Sequence, residues 1–147
     1  MHTLAKEQSI LDAAMPPPRD SIRALLIDDD IADTFLVRSL SLKSKQMDLF
    51  LTTRRTIEDA KVALTEGHFD VLYVDYWLGD ETSISFIHDV SHVHKIPCIL
   101  LTGLDTPDIR RCAFRAGVVG FLSKYDLSIQ AIESVTLTVL RQSGRFS

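Results

Sequence analysis

Four short apolar runs in the sequence each end on residues able to do chemistry. Ile22–Ile27 is followed by Asp28, Asp29 and Asp30, Val71–Val74 by Asp75, residues 98–101 by Thr102, and residues 118–122 by Ser123 and Lys124. Carboxylates that converge repel one another, and without a compensating cation at least one keeps its proton. A divalent cation resolves that conflict. The donors are all oxygen, with no His or Cys at the run ends, which suits a hard ion that retains several waters, Mg2+ or Mn2+ rather than zinc. Such an ion ordinarily sits between a few carboxylates and a phosphate. The Lys124 ammonium and the Thr102 hydroxyl would then face the other phosphate oxygens. Phosphoryl transfer fits this set, because positioning and charge neutralisation supply most of its catalysis. Asp75 is the candidate nucleophile, since a carboxylate can form an acyl phosphate.

These residues meet only if the apolar runs lie side by side. After the first run, Ile31, Phe35, Leu36, Leu40 and Leu42 recur at helical spacing, and residues 47–53 read as a second strand. Thr56 is placed to cap a helix with acids in its first turn, and Gly67 falls where a terminating residue takes positive φ. The third strand, Val71–Val74, precedes a helix over residues 83–93. Pro97 opens the fourth strand, Thr106-Pro107 starts a fourth helix and Gly117 stops it. The fifth strand leads to a last helix that Asp126 is placed to cap. Continuously apolar strands alternating with helices imply a parallel sheet covered on both faces. The expected fold is a doubly wound α/β sheet of five strands in the flavodoxin-like order 2-1-3-4-5, whose ligands bind beyond the carboxyl ends of the strands.

At 147 residues the chain is sized for one domain, expected over residues 21–147. Pro16-Pro17-Pro18 sets off residues 1–20 as an N-terminal arm, expected to be flexible. Sixteen Lys and Arg against twenty Asp and Glu leave a net charge of -4, so no global positive field draws the chain to nucleic acid. No apolar run approaches the ~20 residues needed to span a bilayer. The first residues lack a secretory h-region, so the expected location is the cytoplasm. Cys98 and Cys112, without metal spacing, read as reduced, partly buried thiols.

In order and spacing, the sequence resembles the CheY-like receiver domains of two-component response regulators. The resemblance covers about residues 22–142 and rests on LLIDDD at 25–30, VLYVDYWLG at 71–79, ILLTG at 99–103 and GFLSK at 120–124. Asp75 follows Asp28 by 47 residues, Thr102 follows Asp75 by 27, and Lys124 follows Thr102 by 22. The resemblance implies that Asp75 accepts a phosphoryl group from a sensor histidine kinase or phosphotransfer protein. Asp28, Asp29, Asp75 and the Trp77 backbone carbonyl would hold Mg2+. Thr102, with Gly103 beside it, would be the switch hydroxyl, Lys124 the phosphate-binding lysine, and Phe121 the aromatic whose rotamer follows the switch. Counting alone leaves three acids for the pair at the first strand end; register with the strand selects Asp28 and Asp29. A downstream protein target would bind the surface of the fourth helix, fifth strand and fifth helix.

The family often carries a cis proline after its lysine, where Tyr125 stands here, so that loop is expected to differ. Phe121 lacks the hydroxyl that a tyrosine would use on switching. Trp77 and Leu104 are bulky neighbours of the site, placed to slow the attack of water on a phosphorylated Asp75. An alternative is a small Mg2+-dependent phosphotransferase or phosphatase. Enzymes of the haloacid-dehalogenase type place a second Asp two residues after the nucleophile, where Trp77 stands. The other alternative is a degenerate receiver acting by binding alone, against which every charged position for phosphorylation is present. His88 and His92, four apart on a predicted helix, favour solvated dipole partners over a metal site. Arg110, Arg111 and Arg115 form a basic face on the fourth helix.

Overall fold

The computed structural model describes residues 21–145, and the predicted N-terminal arm lies outside them. Five parallel strands form the sheet: β1 (Ile22–Ile27), β2 (Leu49–Arg54), β3 (Val71–Val74), β4 (Cys98–Thr102) and β5 (Val118–Ser123). Their order is β2-β1-β3-β4-β5, the predicted doubly wound arrangement. The helices are α1 (Ile31–Leu42), α2 (Ile57–Glu66), α3 (Ile84–Asp89, continued by a π-helical turn over Val90–His94), α4 (Pro107–Ala116) and α5 (Ile129–Gln142).

Period-two alternation along the strands sorts the core into two layers. Ile22, Ala24 and Leu26 of β1 join Tyr73, Ile99 and Leu101 against Val37 of α1 and Ile132, Val139 and Leu140 of α5. Leu25 and Ile27 join Leu72, Val74 and Leu100 against Ala60 of α2, Phe86 of α3 and Ala113 of α4. Both faces of the central strands are therefore covered, which accounts for their uninterrupted apolar character.

Several predicted boundaries hold. Thr56 caps α2 and Thr106 caps α4 as expected, and the start of α1 is capped by Asp30, which accepts from the Ala32 N–H. Gly117 takes φ 116°, the left-handed conformation expected of a residue past a helix end. Other details differ. Gly67 is extended, at φ -143°, because α2 ends without a left-handed cap. Asp126 does not cap α5: a 3-10 turn over Lys124–Asp126 carries the chain further, and the Ser128 hydroxyl accepts from the Ala131 N–H instead. The second strand begins at Leu49, two residues later than predicted. Cys98 is fully buried in β4, whereas Cys112 is exposed on α4, because only the former faces a core layer. The expected departure after Lys124 takes the form of that 3-10 turn; no peptide bond among the described residues is cis.

Candidate functional site

Register places the chemistry. Ile27 pairs with Val74, so Asp28 and Asp75 leave adjacent strand ends together. Thr102 pairs with Ser123, which puts Lys124 one residue beyond the same edge. The three carboxylates of Asp28, Asp29 and Asp75 come together there, each offering an oxygen within 4.8 Å of the others. Among the described residues they form the one such group of metal-ligating side chains.

Lys124 is the counter-charge. Its Nζ lies 2.7 Å from Asp75 Oδ2, 2.9 Å from Asp28 Oδ2 and 2.6 Å from Asp33 Oδ2. Burial works to lower the Lys124 pKa, but the carboxylates of Asp33, Asp75 and Asp28 beside it outweigh that and hold the ammonium above its ordinary range. Asp28 has no exposed surface. One of its oxygens accepts from the Asp30 N–H at 2.9 Å. The other touches Lys124 out of line for a hydrogen bond and is left as a buried acceptor without a donor. Burial pushes the Asp28 carboxyl up to about 6, against the lowering pull of the Asp30 N–H and Lys124. Burial likewise raises Asp75, and Lys124 offsets part of that rise.

This donor set fits a hard divalent cation. Three carboxylates converge, all donors are oxygen, and a buried oxygen lacks a donor. The exposed member, Asp29, is oriented from across the loop by the Gly79 N–H, 2.9 Å from its Oδ2. Gly79 sits in the turn of a two-stranded antiparallel ribbon, Trp77–Leu78 against Glu81–Thr82, so the ribbon ties the chain after Asp75 to the acid pair.

Thr102 is buried at the end of β4, and its hydroxyl accepts from the Leu104 N–H at 3.1 Å. The Tyr125 ring lies over Gly103. Phe121 is half-buried against the core layer of α2, α3 and α4, with the Arg110 guanidinium 4.5 Å above its ring. Arg110 is also bound through two nitrogens to Asp105, in the loop that follows Thr102. Trp77 and Leu104 are 42% and 50% exposed, so neither is committed to the core.

Asp33 and Ser83 carry no local signal of their place in the site, and Arg110, legible as part of a basic face, carries none of its contacts with Asp105 and Phe121. Asp33 resembles any acid in the first turn of a helix, and its reach to Lys124 spans 91 residues of chain. Ser83 sits at a helix start, where a capping role would be expected, but its buried hydroxyl donates to the Asp75 carbonyl oxygen at 2.6 Å. Arg110 belongs to a basic face that is partly neutralised by its own neighbours, Arg110 by Asp105 and Arg111 by Asp108. The His88 and His92 rings stack at 4.2 Å, and His92 Nδ1 bonds the His88 carbonyl.

No protein-family model and no curated protein sequence matches the chain. Solved structures do. A CheY-like response regulator receiver domain protein from Methanospirillum hungatei JF-1 is 14% identical, with a TM-score of 0.72 over 85% of this chain and 98% of that one. The signal receiver domain of an HD domain-containing protein from Pseudomonas fluorescens Pf-5 is 17% identical, with a TM-score of 0.73 over 84% and 98%. The Vibrio cholerae chemotaxis protein CheY4 is 20% identical, with a TM-score of 0.69 over 81% and 98%. The chain has the fold of the response-regulator receiver domains.

Proposed function

We propose that this protein is a phosphorylation-controlled binding module that accepts a phosphoryl group on Asp75 from a phosphohistidine of a sensor histidine kinase or phosphotransfer protein. The observation that carries this reading is the half-buried Lys124 ammonium, held 2.7 Å from Asp75 beside a converging trio of carboxylates. An Asp75 carboxylate oxygen attacks phosphorus as the P–N bond breaks. The electron pair leaves on the imidazole nitrogen, which takes a proton from solvent. Asp28, Asp29, Asp75 and the Trp77 carbonyl would hold Mg2+ or Mn2+, which when bound neutralises charge on the phosphoryl oxygens. Lys124 orients and neutralises from the other side.

The new phosphoryl oxygens accept from the Thr102 O–H, whose oxygen also accepts from the Leu104 N–H, so drawing Thr102 toward the phosphoryl group pulls on the loop at Leu104. Movement of that loop carries Asp105, and with it Arg110 above Phe121. The output is a shift in population between two states, as large as the difference in partner affinity. On the face formed by α4, β5 and α5, Phe114 and Val119 are exposed and offer apolar anchors to a protein partner.

Incubation with Mg2+ and acetyl phosphate should raise the intact mass by one phosphoryl group and change the fluorescence of Trp77. Asp75→Asn should abolish the mass shift. Persistence of the shift in that variant would overturn the assignment, and turnover of a free phosphoester would favour a phosphatase.

A further inference from the structure

The geometry points to Asp33 as a positioning residue: it holds Lys124 in competition with the phosphoryl group and so limits how tightly and how long the site retains it. This rests on the reading of Asp75 as phosphoacceptor. An ammonium has three N–H groups, and Lys124 meets three carboxylates, donating to those of Asp33 and Asp75 and touching that of Asp28 at 2.9 Å. Two of them, Asp28 and Asp75, also belong to the cation cluster; Asp33 does not. When Asp75 is acylated its carboxyl loses its charge, and anionic oxygens on phosphorus take its place as acceptors. Asp33 keeps its full charge throughout.

It is also the shortest of the three contacts, at 2.6 Å. The pair is largely shielded, the two side chains being 15% and 24% exposed, so it is screened less than a surface ion pair. An N–H directed at Asp33 is unavailable to a phosphoryl oxygen, and the Asp33 charge repels an incoming phosphoryl anion. Its carboxylate is not the helix cap, a role filled by Asp30, so its charge can be removed without removing the start of α1.

The test uses beryllofluoride, a stable phosphoryl mimic, titrated in Mg2+ and followed by Trp77 fluorescence, together with decay of the acetyl phosphate-labelled protein by intact mass. Asp33→Asn should lower the half-saturating beryllofluoride concentration and lengthen the phosphoryl lifetime, each by about threefold to tenfold, as expected for release of a partly shielded ion pair. Asp33→Ser should move both in the same direction. Asp33→Glu, which keeps the charge, should stay near the parent protein. Unchanged or weaker beryllofluoride binding in the Asn and Ser variants would overturn the inference, as would a Glu variant matching the Asn variant. Absence of both responses in the parent protein would instead overturn the phosphoacceptor reading, and this inference with it.

Discussion

Asp28 is a carboxylate of the site whose ionisation the fold opposes. Its ordinary value of 3.8 is pushed up to about 6 by burial, so the folded chain binds this proton more tightly than the unfolded chain does. The resulting stabilisation is complete below pH 3.8 and is lost as pH rises through about 6. Without a divalent cation, Asp28→Asn should therefore raise the melting temperature at pH 8. The gap, worth up to about 3 kcal/mol, should shrink to roughly half by pH 5 and close only below pH 3.8, as thermal melts from pH 8 to pH 4 would show. Trp77 and Leu104 act through shape instead of charge. Their exposed apolar surfaces flank the loops beside Asp75, so Trp77→Asn and Leu104→Asn should each speed phosphoryl loss from the labelled protein. Intact mass followed over time measures that rate, and an unchanged rate in both would remove them from the mechanism.

One element sensitive to a single side chain is α5 where it crosses β5. A Cβ at Gly120 would stand 2.9 Å from Val135, 3.1 Å from Val139 and 3.3 Å from Ile99, so the helix rests directly on the strand backbone. Gly120→Val should lower stability by about 1–3 kcal/mol, an overpacking cost, read as a lower urea midpoint. The same helix is pinned to the sheet by the buried pair of the Tyr73 hydroxyl and Thr136 Oγ1. Neither interaction is visible locally: Gly120 reads as a weak strand residue, and Thr136 as one polar position on a helix. The start of α5 shows why element ends are harder to read than elements. Asp126 and Ser128 are both good capping types, and the choice between them falls to the 3-10 turn that Lys124–Asp126 adopts. Gly67 illustrates the converse, since a glycine permits positive φ without requiring it.

Over the whole molecule, acids outnumber bases by four, and the sheet edge gathers Asp28, Asp29, Asp33 and Asp75 around a single lysine. Such a concentration of charge should make stability depend on divalent cations. Mg2+ at 100 times its dissociation constant should stabilise the chain by about 2.7 kcal/mol. The matching rise in melting temperature should be lost in Asp28→Asn and in Asp75→Asn, as calorimetry with and without Mg2+ would record. The sequence by itself determined the strand and helix alternation, the order of the sheet and the strand ends that carry Asp28, Asp75, Thr102 and Lys124. Those properties follow from apolar periodicity, helix caps and the handedness of crossovers, each set within a few neighbouring residues or by a general rule of chain topology. Only the tertiary structure decided that Asp33 reaches Lys124, that Ser83 anchors the Asp75 carbonyl, that Arg110 sits over Phe121 and that Asp28 keeps an oxygen without a donor. Those facts depend on side chains from distant segments meeting within about 3–5 Å, the range of hydrogen bonds and ring contacts, and on how much water the packed chain leaves beside each charge.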